Sequence, residues 1–413
     1  MGHAFQWHYP VEFEVTRRDC NHAPLVLLLM LACRAADGEG GGVNHIADAP
    51  ELSVVEVRRV GSVDDPDAGF SRIGGIAVDA QGAVYVLESQ EKQIRVYDPN
   101  GQHIRTFGGE GSGPGEFKNP KLIGFRDDTL AIGDATLGRI TFFDRSGNVL
   151  ETLSMPPAWL EVTPDFMVMY EPVRFRDEGF ATAVTRAVSS AETPRDSFFV
   201  PQVAVDRSGN ITDTLRFDPW QLSDRISVGS ADVRVPPAPP STPLYLDGEH
   251  DSYVVERAVA TADDQAAITV TRVAHSGDTI YNQKIRYLPI AFPVALIDTI
   301  VARAVRPSLH NQQADSGAVD NAVRRALRLP VYQPPVTSGR VGADGVLWLR
   351  LHDDATDQHQ WLILEANGSL KGTVMLPSNV TIHWSSGEHA WAAVRDDFDV
   401  PWLVRYHLRH VTR

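Results

Sequence analysis

From Ile76 onward, short apolar runs alternate with clusters of Asp, Asn, Pro and Gly. The stretch Ile76-Ala-Val-Asp-Ala-Gln-Gly-Ala-Val-Tyr-Val-Leu-Glu88 reads as strand, turn, strand. Gln93-Ile-Arg-Val-Tyr-Asp-Pro-Asn-Gly101 and His103-Ile-Arg-Thr-Phe-Gly108 continue the pattern. Apolar and polar positions alternate inside each run, which is strand periodicity, and the residues between runs are turn formers.

The pattern repeats. Ile94, Asp98 and Gly101 recur 46 residues on as Ile140, Asp144 and Gly147, and Asp144-Arg-Ser-Gly-Asn148 returns unchanged as Asp206-Arg-Ser-Gly-Asn210. Weaker copies stand at His275-Ser-Gly277 and Glu365-Ala-Asn-Gly368. Each is a hairpin turn between the third and fourth strands of a unit, with glycine supplying the positive φ. Units of four strands with a period of about 40 to 50 residues define an all-β fold, the β-propeller. Blades are expected at 72–118, 119–160, 161–220, 245–290, 335–378 and 379–412. The count is six; seven stays open, because the third and fourth units are stretched. Leu52-Ser-Val-Val-Glu-Val-Arg-Arg-Val60 is expected to pair with the last blade, closing the ring and covering a free edge.

Two segments interrupt the strands. Val235-Pro-Pro-Ala-Pro-Pro240 is expected to be a surface loop, since proline lacks the ladder donor. Residues 293–328 change to helical spacing, with Pro293 suited to a first turn and Leu296, Ile300 and Ala304 following. A second short helix is expected from Ala318 to Leu329. This helical insertion falls between blades 4 and 5. It either packs on one face of the ring or caps the channel mouth.

Phe107-Gly-Gly-Glu-Gly-Ser-Gly-Pro-Gly-Glu-Phe-Lys-Asn-Pro120 resembles the connector of NHL-repeat propellers, and Gly138-Arg-Ile-Thr-Phe-Phe-Asp144 resembles a strand of the same repeat. Val341-Gly-Ala-Asp-Gly-Val-Leu-Trp-Leu-Arg350, Gly372-Thr-Val-Met-Leu-Pro377 and Val394-Arg-Asp-Asp-Phe-Asp-Val-Pro-Trp-Leu-Val-Arg-Tyr406 look like later blades of bacterial exported six-bladed propellers. The resemblance implies an NHL-like, six-bladed β-propeller over residues 52–412. It does not choose a function. The glycine run from Gly109 to Gly115 lacks the Gly-Lys-Ser/Thr of a phosphate loop and is read as a connector between blades.

Ahead of the ring, Arg17 and Arg18 precede Leu25-Val-Leu-Leu-Leu-Met-Leu-Ala32, which ends at Cys33. Charged, apolar and small-residue parts in that order make residues 1–32 a signal peptide, whose apolar run is too short to span a bilayer. Residues 1–14 do not fit such a leader, and a translation start near Val15 would explain them. The run into Cys33 resembles the bacterial lipobox, with Met30 where that motif prefers leucine. The resemblance implies a lipid on Cys33 and, with no Asp following it, an outer-membrane lipoprotein facing the periplasm or exterior. A plain secreted protein is the alternative. Residues 33–51, rich in glycine, are a flexible tether.

Charge narrows the partners. A formal net charge of -15 excludes a phosphate-tracking nucleic-acid binder. Only Cys20 and Cys33 are present, so the ring holds no disulfide and no cysteine-based zinc site. No zincin, nucleophile-elbow or complete EF-hand motif occurs, and no catalytic residue, metal or cofactor is assigned. Asp396, Asp397 and Asp399 are a solvated turn or a weak Ca²⁺ site. His407 and His410 face opposite sides of a strand. Glu88 and Asp134 end the second strands of their blades, and Arg350 and Arg395 occupy similar places. The four either converge on the channel to bind a zwitterionic or sugar-like ligand, or pair off structurally. The expected function is a monomeric, non-catalytic binding propeller for a protein, peptide or glycan. The alternative is a propeller hydrolase or lyase with a channel metal, by analogy with propeller lactonases and lyases.

Overall fold

The computed structural model describes residues 44–65, 68–134, 136–154, 172–176, 179–183, 198–206, 208, 210–220, 224–229, 231–235, 243–248, 251–257, 266–274, 276–309, 315–327, 329–353 and 357–411. Cys33, the expected signal peptide and most of the expected tether lie outside these residues. Six four-stranded antiparallel blades follow one another, the first five ordered as in the chain; N-terminal strands add a fifth strand to blade 4 and join blades 5 and 6 into one eight-stranded sheet. Blade 1 comprises Ile73–Val78, Val84–Glu88, Gln93–Tyr97 and His103–Gly108; blade 2 comprises Pro120–Arg126, Thr129–Asp134, Arg139–Phe143 and Val149–Ser154. Blade 3 comprises Pro172–Arg176, Gly179–Ala183, Phe198–Asp206 and Ile211–Trp220; blade 4 comprises Leu244–Asp247, Asp251–Glu256, Ala267–Ala274 and Thr279–Arg286. Blade 5 comprises Val336–Val341, Leu347–Leu351, Gln358–Leu364 and Leu370–Pro377. Blade 6 takes Val380–Ser386, His389–Arg395 and Pro401–His410 from the end of the chain, and its fourth strand, β2 (Glu51–Val60), from the start. First strands lie side by side between blades 1 and 2, 2 and 3, 4 and 5, and 6 and 1. This is the layout of a six-bladed β-propeller.

Stacking sheets face to face explains the residue pattern. A second strand is covered on both sides, so Val84, Tyr85, Val86 and Leu87 are all buried although they alternate faces. The outer strand His103–Gly108 lies on the rim and is largely exposed. Facing side chains then build one core per junction. Tyr85, Leu87, Leu130 and Ile132 fill that between blades 1 and 2, and Leu347, Leu349, Tyr253 and Ile268 that between blades 4 and 5.

The hairpin turns have a shared mechanism. Asp98, Asp144 and Asp206 each accept backbone N–H groups two and four residues ahead through one carboxylate oxygen, which tightens the turn.

The N-terminal segment does more than close blade 6. β1 (Asn44–His45) runs parallel to the fourth strand of blade 4, and a single 3-10 turn (Ile46–Asp48) leads from it toward β2. The start of β2 pairs parallel with Thr373 and Val374 of blade 5, and then β2 pairs antiparallel with blade 6 from Leu52 to Val60. One strap therefore stitches three blades. Gly372 permits it, since a Cβ there would lie 2.4 Å from the Pro50 carbonyl.

The helical insertion is present as α1 (Val294–Leu309) and α2 (Ser316–Ala326), between blades 4 and 5 in chain order. Asp315 caps α2 by accepting from the Gly317 N–H. Their apolar stripes meet a two-stranded hairpin (Asp224–Val228 and Ala231–Val235) that lies between blades 3 and 4 in the chain. Val301, Val319, Val323 and Val233 are its buried centre. The expected loop from Val235 therefore needs correcting at its first residue: Val235 is the buried end of a strand. Residues 236–240 lie outside the described residues.

Candidate functional site

Glu88 and Asp134 hold equivalent positions, Glu88 paired with Ile73 and Asp134 with Pro120, each followed by a bulge on the first strand. Both latch backbone. Glu88 Oε1 accepts the Arg72 N–H at 2.5 Å; Asp134 Oδ2 accepts those of Lys118 and Asn119, and its Oδ1 those of Thr136 and Leu137. In each blade the carboxylate fastens the connector entering the first strand. Burial raises the Glu88 pKa against the opposing pull of the Arg72 N–H and Arg95.

Arg350 is one step out of register with these two, because Leu351 holds the equivalent place opposite Val336. Its Nη2 donates to His359 Nε2 at 2.7 Å, and the other ring nitrogen of His359 lies 3.3 Å from Asp353 Oδ1. A guanidinium is only a donor, so Nε2 accepts and the proton sits on Nδ1, toward Asp353. Arg395 pairs with Asp399 at 2.8 Å. The structure thus shows no contact joining the four residues to one another among the described residues.

The Asp396 cluster is a turn. Asp396 Oδ1 accepts from Phe398 and Val400, and Oδ2 accepts the Trp402 indole N–H at 3.0 Å, which together lower its pKa. His407 faces His389 across the strand pair, ring centroids 4.8 Å apart, a partnership set by register and invisible in the sequence. Among the described residues no group of three or more His, Cys, Asp or Glu side chains is placed to hold a metal ion.

The cavity of about 660 Å³ lies where the strap crosses blades 4 and 5. The strap lines one side with His45, Ile46, Glu51 and Val54; blade 5 contributes Leu351, Gln360, Thr373 and Met375. Tyr287 and Gln333 come from the stalk of the helical insertion, whose two arms pair as Ala291 with Tyr332 and through the Gln333 N–H to the Ile290 carbonyl. Amides, hydroxyls, imidazoles and the Glu51 carboxylate thus sit on an aliphatic floor. Sequence reading missed this cleft. The one local signal was the polar run His352-Asp-Asp-Ala-Thr-Asp-Gln-His-Gln360 after a second strand.

No protein-family model matches the chain, and no curated protein sequence matches it. Among solved structures, it is similar to a protein described as exported from Bacteroides fragilis, with TM-score 0.47 and 11% identity over 90% of this chain and 99% of that one. A member of the DUF4221 family from Bacteroides vulgatus gives TM-score 0.46 and 11% identity over 88% and 100%. Regucalcin from Agrobacterium tumefaciens, a calcium-binding protein, gives 0.36 and 11% over 88% and 98%. At these levels the propeller assignment rests on the strand order of the chain itself. No helix among the described residues is long and apolar enough to cross a membrane.

Proposed function

We propose that this protein is a non-catalytic binding propeller, tethered to the outer membrane by a lipid on Cys33, that takes a peptide, protein segment or glycan in the cleft between blades 4 and 5. The observation that carries the reading is the cleft itself. Its volume of about 660 Å³ is that of a small-ligand site, and it combines an aliphatic floor with amide, hydroxyl and imidazole groups and the Glu51 carboxylate. Such a lining favours an amphipathic ligand. The Gly-Pro-Gly-Glu-Phe connector supports an NHL-like ring, and the run into Cys33 supports the anchor.

The test is to screen the full-length protein against immobilised peptide and glycan panels, beside Met375→Trp, which fills the cleft, and Gln360→Leu, which removes an amide. Ligands held by the parent protein are expected to weaken about tenfold or more in Met375→Trp, the factor that corresponds to about 1.4 kcal/mol. Unchanged binding in both variants would remove the cleft from the function. Turnover of a panel member would replace the reading with the hydrolase or lyase alternative. Mass spectrometry of the mature N-terminal peptide is expected to find an acylated Cys33; a mature chain beginning elsewhere rules the anchor out.

A further inference from the structure

Among the described residues lining the cleft, Glu51 is the only Asp, Glu, Lys or Arg. The parallel ladder aims it there. Glu51 pairs with Thr373 and Leu52 with Val374. Leu52 and Val374 belong to the core between blades 5 and 6, so side chains one step along point to the other face of the sheet. Glu51 therefore shares a face with Thr373 and Met375, both of which line the cleft. Its backbone is fixed, since the Val411 N–H donates to the Glu51 carbonyl. Its side chain is exposed and makes no hydrogen bond or ion pair among the described residues. The next carboxylate on the same strand differs: Glu56 is engaged by Arg59 at 2.7 Å.

The wall facing the strap is apolar and longer than the cleft. Residues 287–297 and 329–339, which include both arms of the stalk, contain no Asp, Glu, Lys or Arg. The arms pair Ile290 with Gln333 and Phe292 with Val331, two steps apart and so on one face. Leu288, Ile290, Gln333 and Pro335 line the cleft, and the same face runs on to Val331. Leu288 is 74% exposed, Val331 72% and Met375 42%. Large apolar side chains left this open along one strip mark a binding surface. The one aromatic ring on the lining other than imidazole belongs to Tyr287, which is buried, so a sugar ring finds no platform to stack on. A chain of apolar side chains suits the strip, and a cation suits the carboxylate beside it.

We infer that Glu51 sets the ligand class of the cleft: it receives the free N-terminal ammonium of a peptide whose first side chains are apolar. The inference rests on the reading of the cleft given under the proposed function. The ammonium donates to the Glu51 carboxylate, and the apolar side chains lie over Leu288 and Met375 toward Val331.

The test uses tripeptides of Ala, Leu, Val and Phe coupled to a surface through their C-termini, each as the free amine and as its N-acetyl form. The full-length protein is titrated over them, with immobilised glucosamine as the competing class. Free amines are expected to bind, and acetylation to weaken binding about tenfold or more. Glu51→Gln is expected to weaken the free amines about ten- to hundredfold, the span of a charge-assisted hydrogen bond, and to leave the acetylated forms unchanged. Equal binding of both forms, or a preference for free amines that persists in Glu51→Gln, overturns the inference; the cleft reading survives if Met375→Trp still weakens both forms. Binding that Met375→Trp leaves unaltered fails the cleft reading, and the inference with it. Retention by glucosamine instead of the peptides, or by none of the surfaces, also overturns the assignment to a peptide amine.

Discussion

Glycine at the outer hairpins serves two purposes at one position. Gly147 has φ 90°, which an L side chain rarely adopts, and a Cβ there would sit 2.6 Å from the Phe107 ring of the preceding blade. Gly147→Ala is expected to cost about 2–4 kcal/mol, combining left-handed strain with overpacking. Urea denaturation checks it, and a loss within error of zero would deny the blade contact. Glu88 makes a different prediction. Its side chain is buried, Oε2 has no partner among the described residues, and its pKa is raised chiefly by burial. A raised carboxyl pKa means the folded state binds the proton more tightly than the unfolded chain. Its contribution is therefore complete below the ordinary carboxylate value and is lost as pH climbs through the folded pKa. Glu88→Gln should gain on the parent as pH rises from 4 to 8, in melting midpoints compared at each pH. His383 has the opposite sign. A folded pKa near 4 against about 6.5 in the unfolded chain makes acid favour unfolding between those values, by about 3 kcal/mol at most. His383→Gln should flatten that part of the pH profile; an unaltered profile would show that the ring is not enclosed.

At the level of elements, local chemistry was legible and partnership was not. Asp98, Asp144 and Asp206 with their turns could be read because a carboxylate capping two nearby N–H groups needs only neighbours in the chain. β2 could be placed on blade 6, since a lone strand before the first blade has an edge to cover. Its contact with Thr373, and the pairing of β1 with blade 4, could not, because two-residue ladders leave no periodic trace. The hairpin from Asp224 to Val235 escaped for a related reason: its burial comes from helices some seventy residues later rather than from a neighbouring blade. Leu52 is the strap's buried anchor, 4% exposed in the core between blades 5 and 6. Leu52→Ala is expected to cost about 2–5 kcal/mol. Hydrogen exchange should localise the lost protection to residues 401–410, and a loss confined to residues 44–60 would mean the strap does not support blade 6.

The whole molecule contains a ring and a smaller unit with its own apolar centre. Val319 and Val323 are fully buried among α1, α2 and the hairpin, not against a blade core. Val323→Asp places a charge there and is expected to open that unit alone. Limited proteolysis should then cut within residues 294–327 while the ring's melting midpoint stays put; loss of the ring's transition would show the two to be one cooperative body. The same scale explains what stayed hidden in the candidate site. Glu88 and Asp134 were found by repeat position, yet their latching role depends on where the preceding connector folds back. The cleft takes residues from the strap, blade 5 and both arms of the stalk, so no stretch of chain announces it.

The strap also has a mechanical meaning. Traction on the chain ahead of β1 first meets a two-residue parallel ladder, which peels easily. It then reaches β2, whose hydrogen bonds to blade 6 lie across the line of pull and run from Leu52 to Val60. A ladder loaded in shear strains its bonds together, whereas one pulled open like a zipper yields bond by bond. A propeller held by its N-terminus in moving fluid would therefore surrender a short slack segment early and resist strongly thereafter, with blade 6 as its clamp.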